Sequence, residues 1–393
     1  MVISMEISMV NNKTETEAKA EAEAKAEAKA EAKAEKKLHF NFIFSSITFL
    51  TIYLPLVKIL KSRNIPFIFF KRRNCKKYAC PYIKKKECQE YYDKYDIKVL
   101  SISKLKDYPG ITFCVDGDVY GPKSLCYKQS ALHDLNKYKN RDKYLVVSLP
   151  ENANYLWIYD KFIKLVDYAI FPNSKYTSSY GFDNPKNLFI GTPKFNISLQ
   201  KQKIREKHNL PKLKYAIIFY PEYRIPIGQK KYPNFMKFYD NIYNWLRELG
   251  YTIIVKDRKK GINKITTFRK GDYYFDNVEY FPLTSIELIK ISSLAIFFSS
   301  SVIEEIVMCK VPFIDVVIDN IDRFNFLRDE SYSYIIKTLP NKNKFKKRVK
   351  KLRKNKKKYK FDEKIQEFLF NTNNVPNKII DKTIELHNCI SLP

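Results

Sequence analysis

LAIFFSSSVIEEIVMCKVPFIDVV, from Leu294 to Val317, decides how this chain is read. Leu294 to Phe298 is an apolar run with the length of a buried strand. Three serines follow, Ser299, Ser300 and Ser301. VIEEIVMC has the composition of a short helix, Pro312 closes it, and Phe313 to Val317 is a second apolar run. The order strand, polar turn, helix, strand predicts a βαβ unit. Such a turn presents backbone N–H groups and hydroxyls at a helix start, where a phosphate can sit. Glu304 and Glu305 fall about one turn further in, where a carboxylate can reach a ribose hydroxyl. The same residues also read as an ordinary capped helix, because an N-cap serine needs no ligand.

The pattern extends outward from this unit. Upstream, strands are predicted at Tyr215–Tyr220, Thr252–Lys256 and Val278–Tyr280. Helices are predicted at Phe235–Leu249, closed by Gly250, and at Ser285–Ser292. Earlier still, strands are expected at Phe40–Phe44, Ile65–Phe70, from Ile97, and at Ile111–Val115, Tyr144–Ser148, Tyr168–Phe171 and Leu188–Ile190. Helical segments at Ile47–Ser62, Ser130–Tyr138, Trp157–Val166 and from Asn173 lie between them. Alternation of this kind predicts an α/β chain of two Rossmann-like, doubly wound domains. The boundaries fall at 38–191 for the first domain, 192–213 for a linker, 214–340 for the second domain, and 341–393 for a basic segment with closing helices.

Residues 1–37 are different in kind. Lys13 to Lys37 is nearly all Ala, Glu and Lys. It favours helix but has no apolar stripe to dock, so a solvated helix or disordered tail is expected, without chemistry. Leu38 to Val57 carries no charge and is long enough to cross a bilayer. Asn41, Ser45, Ser46, Thr48, Thr51 and Pro55 punctuate it, however, and it parses better as a strand, a turn and a helix of a soluble domain.

Lys and Arg number 72 against 42 Asp and Glu, a formal charge of +30. That balance suits phosphorylated substrates, an anionic membrane surface or nucleic acid. Abundant Lys, Asn, Ile, Tyr and Phe with only nine Gly is also what an AT-rich genome produces. The seven cysteines form no CxxC pair, and Cys75, Cys80 and Cys88 match no standard zinc spacing. Reduced thiols in a cytoplasmic protein, peripheral at a membrane at most, are the plainer reading. The run Lys342 to Lys360 could lie against anionic lipid or simply be a solvated helix. Nucleic acid rests on charge alone and is not expected as a partner.

These residues carry a resemblance. Ser299 to Pro312, SSSVIEEIVMCKVP, resembles the SGG-x-x-EEA…G-x-P segment of UDP-N-acetylglucosamine 2-epimerases and related GT-B enzymes. Gly191-Thr192-Pro193-Lys194 is similar to the G-x-P-K element of epimerases and of CDP-glycerol glycerophosphotransferase-like proteins. Phe219 to Arg224, Val255 to Arg258 and Phe281-Pro282-Leu283 resemble further landmarks of the second domain. The resemblance covers roughly 38 to 320. It implies a GT-B architecture, with two domains facing a cleft and the nucleotide seat in the second. It places a phosphate contact on Ser299 and the ribose contact on Glu305. It further implies a nucleotide-sugar co-substrate of UDP or CDP type, a glycan or lipid-linked acceptor, and no bound metal or other cofactor.

The chemistry so implied is transfer of a sugar from a nucleotide donor to build a surface glycan. The donor site would comprise Ser299, Ser300, Ser301, Glu304 and Glu305. Arg224, Lys256 and Arg258 at strand ends would meet the diphosphate charge. A general base would come from His133, Asp118, Asp116 or Glu151 at the strand ends of the first domain. Asp116-Gly117-Asp118 could equally just cap a turn. Two departures stand out: Ser300 and Ser301 replace paired glycines, and Lys310 replaces the glycine at the helix end. The His-Arg-Arg-Glu-Asn signature of epimerases is missing near Tyr220 to Arg224, which argues for a transferase over an epimerase. A non-catalytic binding protein of this fold and a glycerophosphate transferase remain the competing readings.

Overall fold

The computed structural model describes residues 38–44, 49–71, 85–115, 135–136, 141–150, 163–178, 183–220, 225–257, 272–275, 284–318, 325–369 and 374–391. Two parallel sheets organise residues 40–391. The first has seven strands: β1 (His39–Phe44), β2 (Phe67–Lys71), β3 (Val99–Ser101), β4 (Gly110–Val115), β5 (Tyr144–Leu149), β6 (Tyr168–Phe171) and β7 (Asn187–Phe189). Their spatial order is β3-β2-β1-β4-β5-β6-β7. The second has six: β8 (Tyr215–Tyr220), β9 (Thr252–Asp257), β10 (Tyr273–Phe275), β11 (Ser292–Phe297), β12 (Phe313–Val316) and β13 (Ser333–Ile336). Their order is β10-β9-β8-β11-β12-β13. Both sheets therefore reverse strand order between their first and fourth strands. In a doubly wound sheet, ligands gather in the crevice outside the carboxyl ends at that reversal.

The strands are apolar on both faces, as a sheet covered by helices on both sides requires. β4 and β5 are buried along their whole length. In the first sheet Leu38 to Val57 resolves into β1 and helix α1 (Leu50–Ser62). Tyr53 of α1 donates to the Ile43 carbonyl at 2.6 Å, locking the helix to its strand. Among the described residues no helix is long and apolar enough to cross a membrane. Helices α2 (Lys85–Lys94) and α3 (Ser174–Ser178) complete this half.

The stretch 192–213 connects the two sheets and is partly helical. It contains helix α4 (Lys201–Lys207), missed because its only buried apolar side chain is Ile204. Directly after α4, His208 Nε2 lies 2.7 Å from Glu287 Oε2, and Lys207 Nζ lies 2.7 Å from Glu287 Oε1. Burial raises the Glu287 carboxyl, but His208 and Lys207 more than offset it and hold the group below the usual range. In the second half, α5 (Ile225–Lys231) precedes α6 (Phe235–Arg247), and Gly250 takes φ +74° to end the latter's turn. α7 (Thr284–Ile291), α8 (Ile303–Met308) and α9 (Lys342–Lys354) follow. The expected strand at Val278–Tyr280 lies outside the described residues, and β10 sits just before it. β13 was not anticipated.

α10 (Phe361–Lys364), continued by a π-helical turn, and α11 (Val375–Ser391) close the chain. α11 returns to the first sheet and packs on α1, β4 and β5. Arg63 at the end of α1 holds Asn377 and Asp381 on α11. Gly191, just beyond β7, has φ +126°, and a Cβ there would sit 2.7 Å from Val375 Cγ2. Asn173 donates to the Glu367 carbonyl at 2.5 Å, a further tie between the first sheet and the closing helices.

Candidate nucleotide site at the second strand-order reversal

β11 runs out at the reversal, beside β8. Phe298 is buried against Phe235 and Tyr239, so the chain is anchored as it leaves the sheet. Ser299 then turns into the left-handed region at φ +46°. Its N–H donates to Asp315 Oδ1 at 3.0 Å, and its Oγ accepts from the Ile318 N–H at 3.1 Å. Asp315 lies on the neighbouring β12, opposite Phe297. Its Oδ2 accepts from Arg328 Nη2 at 2.6 Å and Nε at 3.2 Å. Side-chain exposure is 1% for Asp315 and 9% for Arg328, so the pair is buried. The turn is thus fixed from the adjacent strand by a charged, hydrogen-bonded clamp, and Ser299 is largely engaged in making it.

Ser300 and Ser301 are half-buried. Ser300 Oγ accepts a long bond of 3.4 Å from the Val302 N–H, and the two serine carbonyls accept from Ile303 and Glu304 as α8 begins. Among the described residues the N–H groups of Ser300 and Ser301 donate to no backbone acceptor. Two amide donors and the Ser301 hydroxyl are therefore left at the strand end. A concave set of free N–H groups is an anion seat. Neither serine is left-handed. A serine at either position is therefore unstrained. Lys310 at the other end of α8 does hold the left-handed conformation, φ +57°.

The two glutamates of α8 part company. Glu304 is buried, and Lys194 Nζ reaches its Oε2 at 2.7 Å. Lys194 also lies over the Phe195 ring, 4.7 Å from its centroid. The Gly191–Lys194 element, at the end of the first sheet, therefore reaches the second half through this ion pair. Glu305 is half-buried on α8. Burial pushes the Cys309 thiol up to about 12, Lys290 moderates this and Glu305 adds to it, so the Glu305 charge lies near Cys309.

Lys256 and Asp257 end β9, two strands across. Ile218 of β8 pairs with Ile296 on one side and Val255 on the other. Asp257 therefore stands level with Phe298, roughly 10 Å away across two strand spacings. Lys256 is 4% exposed, and its Nζ donates to the Asp257 carbonyl at 2.8 Å. Asp257 Oδ2 accepts from Tyr274, and its buried Oδ1 has no hydrogen-bond partner among the described residues.

The structure thus places Ser299, Ser300 and Ser301 in one turn with Glu305 on the helix that follows, sets Lys256 two strands across, level with Phe297, and turns Glu304 toward Lys194. Arg224, Arg258, Asp116, Asp118, His133 and Glu151 lie outside the described residues, as do Cys75, Cys80 and the Cys88 side chain. Among the described residues no group of three His, Cys, Asp or Glu side chains is placed to hold a metal. Asp315 and Arg328 were not anticipated. The signal for Asp315 was there, an acid at a buried position of the apolar run FIDVV.

No protein-family model matches the chain, and neither does any curated protein. Solved structures do. The wall teichoic acid polymerase TagF is similar at 17% identity over 91% of this chain and 90% of that chain, with a TM-score of 0.57. The UDP-GlcNAc 2-epimerase of Methanocaldococcus jannaschii, in complex with UDP-GlcNAc and UDP, is similar at 15% identity over 88% of this chain and 100% of that chain, TM-score 0.57. S. aureus MnaA with UDP follows at 12% identity, 90% and 98% coverage and 0.56. At such identities the likeness is one of fold: two Rossmann-like halves of GT-B kind spanning most of the chain.

Proposed function

We propose that this protein is a transferase that uses a nucleotide-activated sugar to build a surface glycan or polysaccharide. The observation that carries the reading is the Ser299–Ser301 turn, with its free amide donors outside β11 at the strand-order reversal. In this reading the Ser300 and Ser301 N–H groups and the Ser301 hydroxyl hold the donor diphosphate. Glu305 takes the ribose hydroxyls. Lys256, with Arg224 and Arg258, meets the charge that grows on the leaving nucleotide.

An acceptor hydroxyl attacks the anomeric carbon of the donor, and the bond from that carbon to the diphosphate oxygen breaks. A base from the first half takes the hydroxyl proton, with His133, Asp118, Asp116 and Glu151 as candidates. The likeness to TagF, of which one solved form is a CDPG soak, favours a second reading in which glycerol phosphate is the group transferred.

Thermal shift and calorimetry with UDP, CDP and GDP, on the wild type and on Glu305→Ala, test both. Selective stabilisation by UDP, lost in the variant, supports the sugar-transfer reading. The same selectivity for CDP moves the donor toward the second reading. No response in folded protein overturns the donor site.

A further inference from the structure

The opposite edge of the second sheet carries an unusual surface. α9 docks its whole apolar stripe, Phe345, Val349 and Leu352, into the core. Phe345 packs against Phe238 and Trp245 of α6. Its lysines and arginines are therefore driven outward. Glu248 pairs with both Lys342 and Lys346 near the helix start, offsetting one of the two charges. Beyond that, Lys350, Lys351, Arg353 and Lys354 are exposed, and among the described residues none forms an ion pair; Lys356 to Lys358 continue the run in the same state.

The cationic surface extends past the helix. Arg353 comes close enough to Lys214, the residue before β8, to press on its charge. Burial lowers Lys201 on α4, and the nearby charges of Lys290, Arg205 and Lys356 lower it further. Like charges gathered this way repel one another unless an anionic partner covers them. Within this surface, between Lys212 and Lys214, stands Leu213. At 48% exposure it is the most exposed large hydrophobic residue described.

We propose that this edge docks on an anionic phospholipid surface. Three observations favour lipid over nucleic acid. The charges are nearly all lysine, which acts as a point charge without the bidentate fork that arginine offers phosphate or bases. The described surface offers no exposed aromatic ring on which a base could stack. A lone leucine ringed by cations suits shallow contact at headgroup depth. With the stripe of α9 already buried, attachment is electrostatic and peripheral. It also leaves the carboxyl edge, where the candidate site lies, free.

The test uses the full chain in co-sedimentation with vesicles of equal parts phosphatidylglycerol and phosphatidylcholine, against phosphatidylcholine alone. Binding is expected only to the anionic vesicles, and is lost at about 0.5 M salt, where screening shortens to a few ångströms. Lys351→Gln with Lys354→Gln should weaken binding about 25-fold, about fivefold for each charge removed. Lys104→Gln with Lys106→Gln removes the same charge from an exposed turn of the first half, and should leave binding within about twofold. Leu213→Ser should weaken vesicle binding but not retention on heparin. Equal loss from both lysine pairs would reduce the effect to net charge and overturn the proposal. So would equal binding to phosphatidylcholine, or displacement from vesicles by single-stranded DNA at matched phosphate.

Discussion

Lys194→Met should separate a structural glutamate from a ligand-binding one. Lys194 and Glu304 have side-chain exposures of 11% and 3%, with 2.7 Å between charged atoms. Removing the lysine leaves a carboxylate with almost no water around it. For a buried pair broken on one side the loss is about 3–5 kcal/mol, against about 0.2–1 kcal/mol for an exposed pair. At about 2 °C for each kcal/mol in a chain of this size, the melting temperature should fall by about 6–10 °C. Changing both residues to Met removes the buried charge itself and should recover most of that loss. Nucleotide protection, read in the same thermal assay, then assigns the glutamates. The double variant should keep the response that Glu305→Ala loses. A fall of less than about 2 °C for Lys194→Met, or a stable double variant with no nucleotide response, would refute the reasoning.

Asp315→Ala takes the buried carboxylate away from Arg328, which keeps Asn325, and frees the Ser299 N–H, so about 3 kcal/mol of stability should go in urea denaturation, and nucleotide protection with it. Gly191→Ala, at φ +126° with its new Cβ 2.7 Å from Val375 Cγ2, should destabilise by about 2 kcal/mol, partly rescued by Val375→Ala. Burial, with Arg353 beside it, pushes Lys214 down to about 8. The folded chain then releases this proton before the unfolded chain does, so stability should rise from about pH 8 toward the ordinary lysine range, and Lys214→Met should flatten that rise. Lys310→Gly relieves a left-handed lysine at the sacrifice of an exposed pair with Asp362, and should raise stability by about 1 kcal/mol in the same denaturation assay.

The fold was legible where hydrophobic runs were long and bounded. Tyr168–Phe171 and Tyr215–Tyr220 were read to the residue, because each is an apolar run between polar loops. α4 was hidden because a helix lying on a basic surface buries one isoleucine and shows no period. β13 was hidden because Ser333 and Tyr334 dilute its apolar character. At the site, the serine turn could be read from composition. The parting of Glu304 from Glu305 could not. Adjacent residues on a helix point about 100° apart. Which of the two meets Lys194 depends on a contact between residues 110 positions apart in the chain.

Serines at 300 and 301, where the resembled segment has glycines, bear on whether this turn can bind a nucleotide. A decayed site would be expected to lose the backbone shape first, since that shape has no other use. Here the backbone is fixed by the Asp315 clamp on Ser299. Ser300 and Ser301 stand where the backbone makes no demand for glycine, because neither is left-handed. The left-handed positions are Ser299, clamped by Asp315 and Ile318, and Lys310, whose side chain is exposed and crowds nothing. Each left-handed residue costs about 1–2 kcal/mol relative to glycine. The buried Asp315–Arg328 pair is an expensive device for fixing a loop, since an apolar replacement is often as stable. Its geometric effect is to fix Ser299, the residue at which the chain turns from β11 toward α8. What the serines change is the lining of the seat. Two hydroxyls stand where glycines leave bare backbone, so the phosphate would be met partly by O–H donors and at slightly greater distance from the amides. Under the proposed function, nucleotide titration of Ser301→Gly then measures what that hydroxyl contributes.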